Sequence, residues 1–301
     1  MSTCSSISAV KLRHTVRGIL LAGVLSAMLH PAAAQTHSKG RVLVVLSSAH
    51  ELQLRDGKTY ATGVFFNEFV TPTRAIIEAG YEPVFASPDG SPVHFDTHSV
   101  APVYFGGSSE KLEQAKRFVE SLPGAQHPIT LAKVRADGVA GYVGVIVPGG
   151  HAPWQDLAAN ADLGAVLSAF HAAAKPTALI CHGPAALLST LPDASAFEAA
   201  MVKGDAAAAQ KLAANWPYAG YRMTAFSTSE ERFVEPRLLQ GQVRFYLAEA
   251  LAQAGGRVEA GPDRRSATVQ DRELITGQQP VSDAEFSKVV VAALDRTGIG
   301  N

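Results

Sequence analysis

Ile180-Cys181-His182-Gly183-Pro184 is the stretch whose residue types and spacing point most directly to chemistry. The apolar run at 175–180 ahead of it reads as a buried strand. Pro184-Ala185-Ala186-Leu187-Leu188 behind it reads as a helix with proline in its first turn. A cysteine at a sharp strand-to-helix turn is a nucleophile elbow, which presents its side chain at the top of a sheet. A helix N-terminus beneath the sulfur favours negative charge, so the thiol pKa is expected to be lowered. The competing reading is a small apolar cysteine closing a core strand. Strand, cysteine, glycine and helix start coincide here, which favours the elbow.

Two further features can serve such a thiol. Pro148-Gly149-Gly150-His151 follows an apolar run at 142–147. A glycine pair after a buried strand can turn its backbone N–H groups outward and, with the N–H of His182, form an oxyanion hole. By itself the pair is also an ordinary turn. Glu68 lies in the otherwise apolar Val64-Phe65-Phe66-Asn67-Glu68-Phe69. From a helix after the first strand its carboxyl can reach the mouth of the cleft and exchange a proton with the thiol, or it can sit at the rim. His94, Asp96 and His98 alternate, so His94 and His98 can share one face. Surface histidines are the preferred reading of that pattern. No metal and no cofactor are expected, and Gly106-Gly107 lacks the strand-to-helix context of a phosphate loop.

Cysteine usage supports a working thiol. The chain has two cysteines, Cys4 and Cys181. Residues 1–34 read as a secretory signal: Lys11, Arg13 and Arg17, then an apolar core at 18–29, then Ala32-Ala33-Ala34 before Gln35. Cleavage after Ala34 and a periplasmic or secreted protein are expected, with Cys181 then lacking a disulfide partner. The formal net charge of −1 and the absence of a basic stripe argue against nucleic-acid binding. No second apolar segment is long enough to span a membrane.

The order of elements sets the fold. Strands are expected at 41–46, 82–86, 142–147, 176–180 and 221–226, and helices at 63–79, 110–122, 163–174, 236–254 and 284–295, with a helical insert at 195–214. This alternation gives an α/β fold with a mostly parallel sheet sandwiched by helices. After a linker at 35–40, a single domain at 41–295 is expected, with a tail at 296–301. Ligands of such sheets bind beyond the carboxyl ends of the strands, so Gly149, Gly150 and Cys181 should line one cleft.

These residues carry a resemblance. Ala178-Leu179-Ile180-Cys181-His182-Gly183-Pro184-Ala185, Val147-Pro148-Gly149-Gly150-His151 and Thr62-Gly63-Val64 through Glu68 resemble the ThiJ/PfpI superfamily, a flavodoxin-like, class I glutamine amidotransferase-like fold. Asp96-Thr97-His98-Ser99, Trp216-Pro217-Tyr218, Thr224-Ala225-Phe226-Ser227 with Glu230-Glu231, and 274–280 resemble its heat-shock-chaperone and glutathione-independent glyoxalase branch. The resemblance spans about 41–295. It implies Cys181 as nucleophile, His182 as the histidine of the catalytic set, and Glu68 as the acid that contacts the cysteine. It implies Gly150 and His182 as backbone oxyanion donors, with Gly149 and His151 at the substrate. Asp156 matches an acidic residue downstream of the glycine turn and reads equally as a capping residue. Ala152 follows His151 where glycine is commoner, and Leu179 precedes the elbow where small residues are usual.

The expected activity is a cysteine-dependent, glyoxalase-like or deglycase-like reaction on a small reactive carbonyl, most simply methylglyoxal to lactate. A cysteine amidase or peptidase uses the same groups. A non-catalytic envelope chaperone or thiol sensor is the alternative outside enzymes. The expected partner is a small-molecule carbonyl substrate; a homodimer is left open.

Overall fold

A computed structural model describes residues 38–298 of the chain. Cys4 and the expected signal at 1–34 lie outside the described residues. Seven strands form one sheet: β1 Arg41–Val45, β2 Glu82–Ser87, β3 Ile129–Thr130, β4 Tyr142–Val147, β5 Thr177–Ile180, β6 Thr268–Asp271 and β7 Leu274–Gly277. Their spatial order is β6-β7-β5-β4-β1-β2-β3. All neighbours are parallel except β6 with β7, an antiparallel hairpin. The central strands are near-continuous apolar runs because helices cover both faces. Successive side chains alternate between them. Leu43, Val45, Val145, Val147 and Leu179 meet the layer containing α3, Ala161–Ala172. Val42, Val44, Ile146, Ala178 and Ile180 meet the layer of α1, Phe66–Glu78, α2, Ser109–Glu120, and α4, Asp283–Gly298. Among the described residues, no helix is long and apolar enough to cross a membrane.

The expected α/β architecture is present, and the register explains why the site forms where it does. Val147 pairs with Leu179, and Ile180 with Gly277, so β4, β5 and β7 end side by side. The chain leaves each strand at the same edge, at Gly149-Gly150, at Cys181 and at Gln278.

Several expected elements differ. α1 starts at Phe66 rather than at 63, because the Val64 and Phe65 N–H groups donate to His94 O and Gly149 O instead of entering the helix. The segment after the elbow, Gly183–Thr190, is a 3-10 helix. The expected strand at 221–226 shrinks to Arg222–Met223, which pairs with Arg257–Val258 outside the main sheet. β7 occupies the sheet position beside β5. Of the expected helix at 236–254 only Leu247–Gln253 is α-helical; its first residues lie in a π turn at Glu235–Leu239, which continues an earlier helix, Thr228–Val234. Pro236 lacks the N–H a regular helix needs, and Gln240 turns left-handed at φ 49°. The insert is a helix pair, Ala194–Lys203 and Ala206–Leu212, and α4 runs past 295 to Gly298.

Leu179 has no exposed surface and packs into the layer that holds α3. Leu179→Ala is therefore expected to cost about 2–5 kcal/mol, the range for a buried leucine whose cavity does not collapse. Denaturant unfolding should show a lower midpoint with an unchanged slope.

Candidate active site

The elbow is built from backbone constraints. Cys181 has φ 63°, a left-handed conformation that an L-residue rarely adopts. Its N–H donates to Gly277 O at 2.9 Å, and its carbonyl accepts from Phe226 N–H at 2.9 Å. Glycine is required on both sides of the thiol. A Cβ on Gly183 would lie 2.5 Å from Val147 O, and one on Gly149 would collide with Cys181 and Glu68. Gly150 has φ 94°, and a Cβ there would collide with Gly63 O. The Gly150 and His182 N–H groups face the Cys181 sulfur. That is the arrangement expected of oxyanion donors.

Glu68 is not at the rim. It lies in the first turn of α1 and is fully buried. Its carboxyl oxygens lack a full hydrogen bond and face the Cys181 thiol and the Gly149 N–H. Burial pushes this carboxyl well above the usual carboxylate range, so it is a neutral acid near neutral pH. Burial also pushes the Cys181 thiol well above its ordinary value, and the nearby Glu68 adds to this, against the two N–H groups that lower it. The expectation of a lowered thiol pKa is thus corrected. Desolvation and a neighbouring carboxyl outweigh the helix end, and the resting cysteine is a thiol. The two groups titrate as a pair.

The residue that sequence reasoning left without a role is Glu231. His182 Nδ1 lies 3.4 Å from Cys181 Sγ, and His182 Nε2 lies 2.6 Å from Glu231 Oε2. His151 Nε2 lies 2.9 Å from Glu231 Oε1. All three side chains are buried. Burial pushes Glu231 up, but the two imidazoles bonded to it prevail and hold it at about 2. Burial, reinforced by the facing His151 ring, lowers His182 to about 4 against the pull of Glu231. An ionised Glu231 accepts on both oxygens. Each imidazole therefore carries its proton on Nε2, and His182 Nδ1 turns a free lone pair toward the thiol. Cys181, His182 and Glu231 thus stand in the geometry of a nucleophile, a base and an orienting carboxylate. Trp154 stacks on the His182 ring at 5.6 Å, and Phe226 packs against it at 4.7 Å, so the imidazole cannot swing.

A local signal for Glu231 does exist in the sequence. Ser227 and Glu230 form a capping box that starts the helix at Thr228, which puts Glu231 in its first turn. His151 serves Glu231 as well as lining the cavity above Cys181. Gly149 directs its backbone N–H to the Glu68 carboxyl and leaves no room for a side chain beside Cys181. Asp156 is outside the cleft: it accepts from Ser47 Oγ at 2.6 Å and Ser48 N–H at 2.7 Å, pinning the end of β1. Burial raises its carboxyl to about 6. His94 and His98 do not converge: His94 meets the His50 ring at 4.5 Å, and the His98 N–H donates to Asp96. Among the described residues, the group close enough to hold a metal ion is His151, His182 and Glu231.

Glu68 makes stability depend on pH. The folded state keeps a proton that the unfolded state releases above its ordinary carboxylate pKa. Stability is therefore expected to fall as pH rises above the ordinary carboxylate range toward the raised folded-state value, by up to about 1.4 kcal/mol per unit from this group. Glu68→Gln should remove that slope and be the more stable protein at pH 8. Parallel denaturant titrations across the range test this; equal slopes for the two proteins would refute a buried neutral Glu68.

The DJ-1/PfpI family model matches residues 60–192. The Protein/nucleic acid deglycase HchA of Staphylococcus aureus strain N315 is 26% identical over 266 residues, covering 86% of this chain and 81% of that protein. The Rapid Encystment Protein 24 kDa of Francisella tularensis has a similar structure, with a TM-score of 0.62 at 21% identity over 85% of this chain and 99% of that one. So does glyoxalase III of Candida albicans, with a TM-score of 0.58 at 21% identity over 85% of this chain and 97% of that one. At that identity the two structures establish a shared fold. Residues 60–192, which hold Glu68, the Gly149-Gly150 turn and Cys181, thus match the model of the DJ-1/PfpI (ThiJ/PfpI) family, the superfamily that the sequence resembles.

Proposed function

We propose that this chain is a cysteine-dependent enzyme acting on reactive carbonyls: a glutathione-independent glyoxalase that converts methylglyoxal to lactate, with deglycase-like release of the same carbonyl from its adducts. The observation that carries this is the Cys181–His182–Glu231 line, with Sγ 3.4 Å from a base whose tautomer is fixed. The likeness to a protein named a deglycase supports it.

Each group has a role in the reaction. The thiol adds to the aldehyde carbon and passes its proton to His182 Nδ1 as the S–C bond forms. The Gly150 and His182 N–H groups hold the developing oxyanion, which takes the thiol proton back from His182 Nδ1 to give the hemithioacetal and frees the imidazole again. His182 then moves the C1 proton toward C2. C1 is oxidised and C2 reduced within one molecule, which leaves the thioester of a 2-hydroxy acid. Water cleaves that thioester, releases lactate and restores the thiol. Substrate plus water balances product, with no external oxidant. Glu68, neutral and against the sulfur, holds the local negative charge to one and keeps a proton beside the leaving thiolate.

Purified protein is expected to form lactate from methylglyoxal, and Cys181→Ser to form none; equal lactate from the two would end this reading. Glu231→Gln removes the carboxylate that fixes both imidazoles and should lower kcat/KM by about 10²-fold or more. Because His182 titrates near 4 rather than near 6.5, the acid limb of kcat/KM should fall close to pH 4. Below that pH the imidazole is protonated and cannot accept the thiol proton.

A further inference from the structure

The cavity above Cys181 is larger and more apolar than a three-carbon aldehyde requires. Its volume is about 330 Å³, whereas one water occupies about 30 Å³ of liquid. Its floor is polar and holds Cys181, His182, Gly150 and His151. Its mouth differs. Among the described residues the exposed large hydrophobic side chains are Val103 at 71%, Val202 at 43%, Phe233 at 45% and Val281 at 51%. Three of these four, Val103, Phe233 and Val281, line this one cavity. Single exposed apolar residues are ordinary, but three converging on the entrance to a reactive thiol form a patch.

Each of the three is held in place. The Arg237 and Arg264 guanidinium groups stack on the Phe233 ring at 3.9 and 5.4 Å. Val281 lies in the turn Pro280–Ser282, where the Asn67 side-chain amide donates to Pro280 O at 3.0 Å and the Ala267 N–H to Ser282 Oγ at 3.1 Å. Val103 lies in the turn Pro102–Phe105, whose Tyr104 ring meets Phe65 edge-on at 4.9 Å. The carboxylates of the wall are occupied. Asp96 accepts from Thr62 Oγ1 and the His98 N–H, Glu230 from the Gln278 side chain and the Arg264 N–H, and Asp263 from Ser229 Oγ. Between floor and mouth a substrate meets mainly apolar surface.

We propose that the mouth is a subsite for the apolar body of the substrate, and that the preferred substrates are 2-oxoaldehydes bearing an alkyl chain or aryl ring rather than methylglyoxal itself. This rests on the glyoxalase reading above. The mouth opens into the same cavity as the thiol, so an aldehyde carbon on the floor places its substituent between Val103, Phe233 and Val281.

Burying one methylene is worth about fourfold in an equilibrium or specificity constant. Across alkylglyoxals from methyl to hexyl, kcat/KM is expected to rise by about two- to fourfold per methylene until the cavity is filled. Phe233→Ser and Val281→Ser alter exposed positions. They should flatten that rise, lowering kcat/KM most for the hexyl substrate and least for methylglyoxal. Calorimetric binding of butanamide, hexanamide and heptanamide to Cys181→Ser reads the subsite without turnover. A chain-length rise in binding that the two substitutions flatten, with no glyoxal turned over, keeps the subsite and ends the glyoxalase reading. Turnover with a flat series keeps that reading and overturns the subsite. A flat series from a dimer that dissociates on Phe233→Ser assigns the patch to a second copy and overturns the subsite as well.

Discussion

The left-handed backbone at Cys181 is the constraint around which the site is arranged. A non-glycine residue in this conformation costs about 1–2 kcal/mol, so the surroundings must hold it there. They do so from two distant parts of the chain. Gly277, at the end of β7, accepts the Cys181 N–H, and Phe226 donates to the Cys181 carbonyl. The first contact requires β7 beside β5. The second requires the chain after Met223 to run across the strand ends rather than continue as a strand. One residue beyond Phe226, the Ser227 cap opens the helix that delivers Glu231 beneath His182. The strained turn and the orienting carboxylate therefore arrive together.

Two buried carboxyls then take opposite states beside one thiol. Glu68 and Glu231 are both deeply buried, and burial alone pushes each toward the neutral acid. Glu231 escapes because two imidazoles donate to its two oxygens. Glu68 has no such donors and stays protonated. Environment, not residue type, divides the labour: one carboxyl orients a base and the other limits the negative charge around the sulfur. The same burial keeps Cys181 protonated at rest, with His182 Nδ1 placed to take its proton.

The packing around the thiol leaves little freedom for backbone variation. Gly149 touches both Cys181 and Glu68, Gly150 turns against Gly63, and Gly183 backs onto Val147. These contacts bring α1, the β4 turn and the β5 turn within reach of one another. Asp156 adds a peripheral tie by holding Ser47 and Ser48 at the end of β1 to the short helix after the glycine turn. Its burial and its hydrogen bonds make it a structural carboxyl, although the sequence pattern left a role at the site open.

The sequence by itself determined what is local. Consecutive apolar residues marked β1, β4 and β5, and the alternation with helices marked a parallel sheet. Strand, cysteine, glycine and proline in one run marked the elbow, and a glycine pair after a strand marked its neighbour. A lone glutamate among apolar residues marked Glu68 without deciding between rim and core. Tertiary structure decided the rest, because the remaining interactions join segments far apart in the chain. Glu231 lies 49 residues from the histidine it meets, and the capping box that accounts for Glu230 says only that Glu231 falls in the first turn of its helix. The strand at 221–226 gave way to β7 because the sheet position beside β5 is filled by only one of them. The protonation of Cys181 reversed because a pKa depends on how much water and which charges surround a group. The packed fold sets both, and residue order does not.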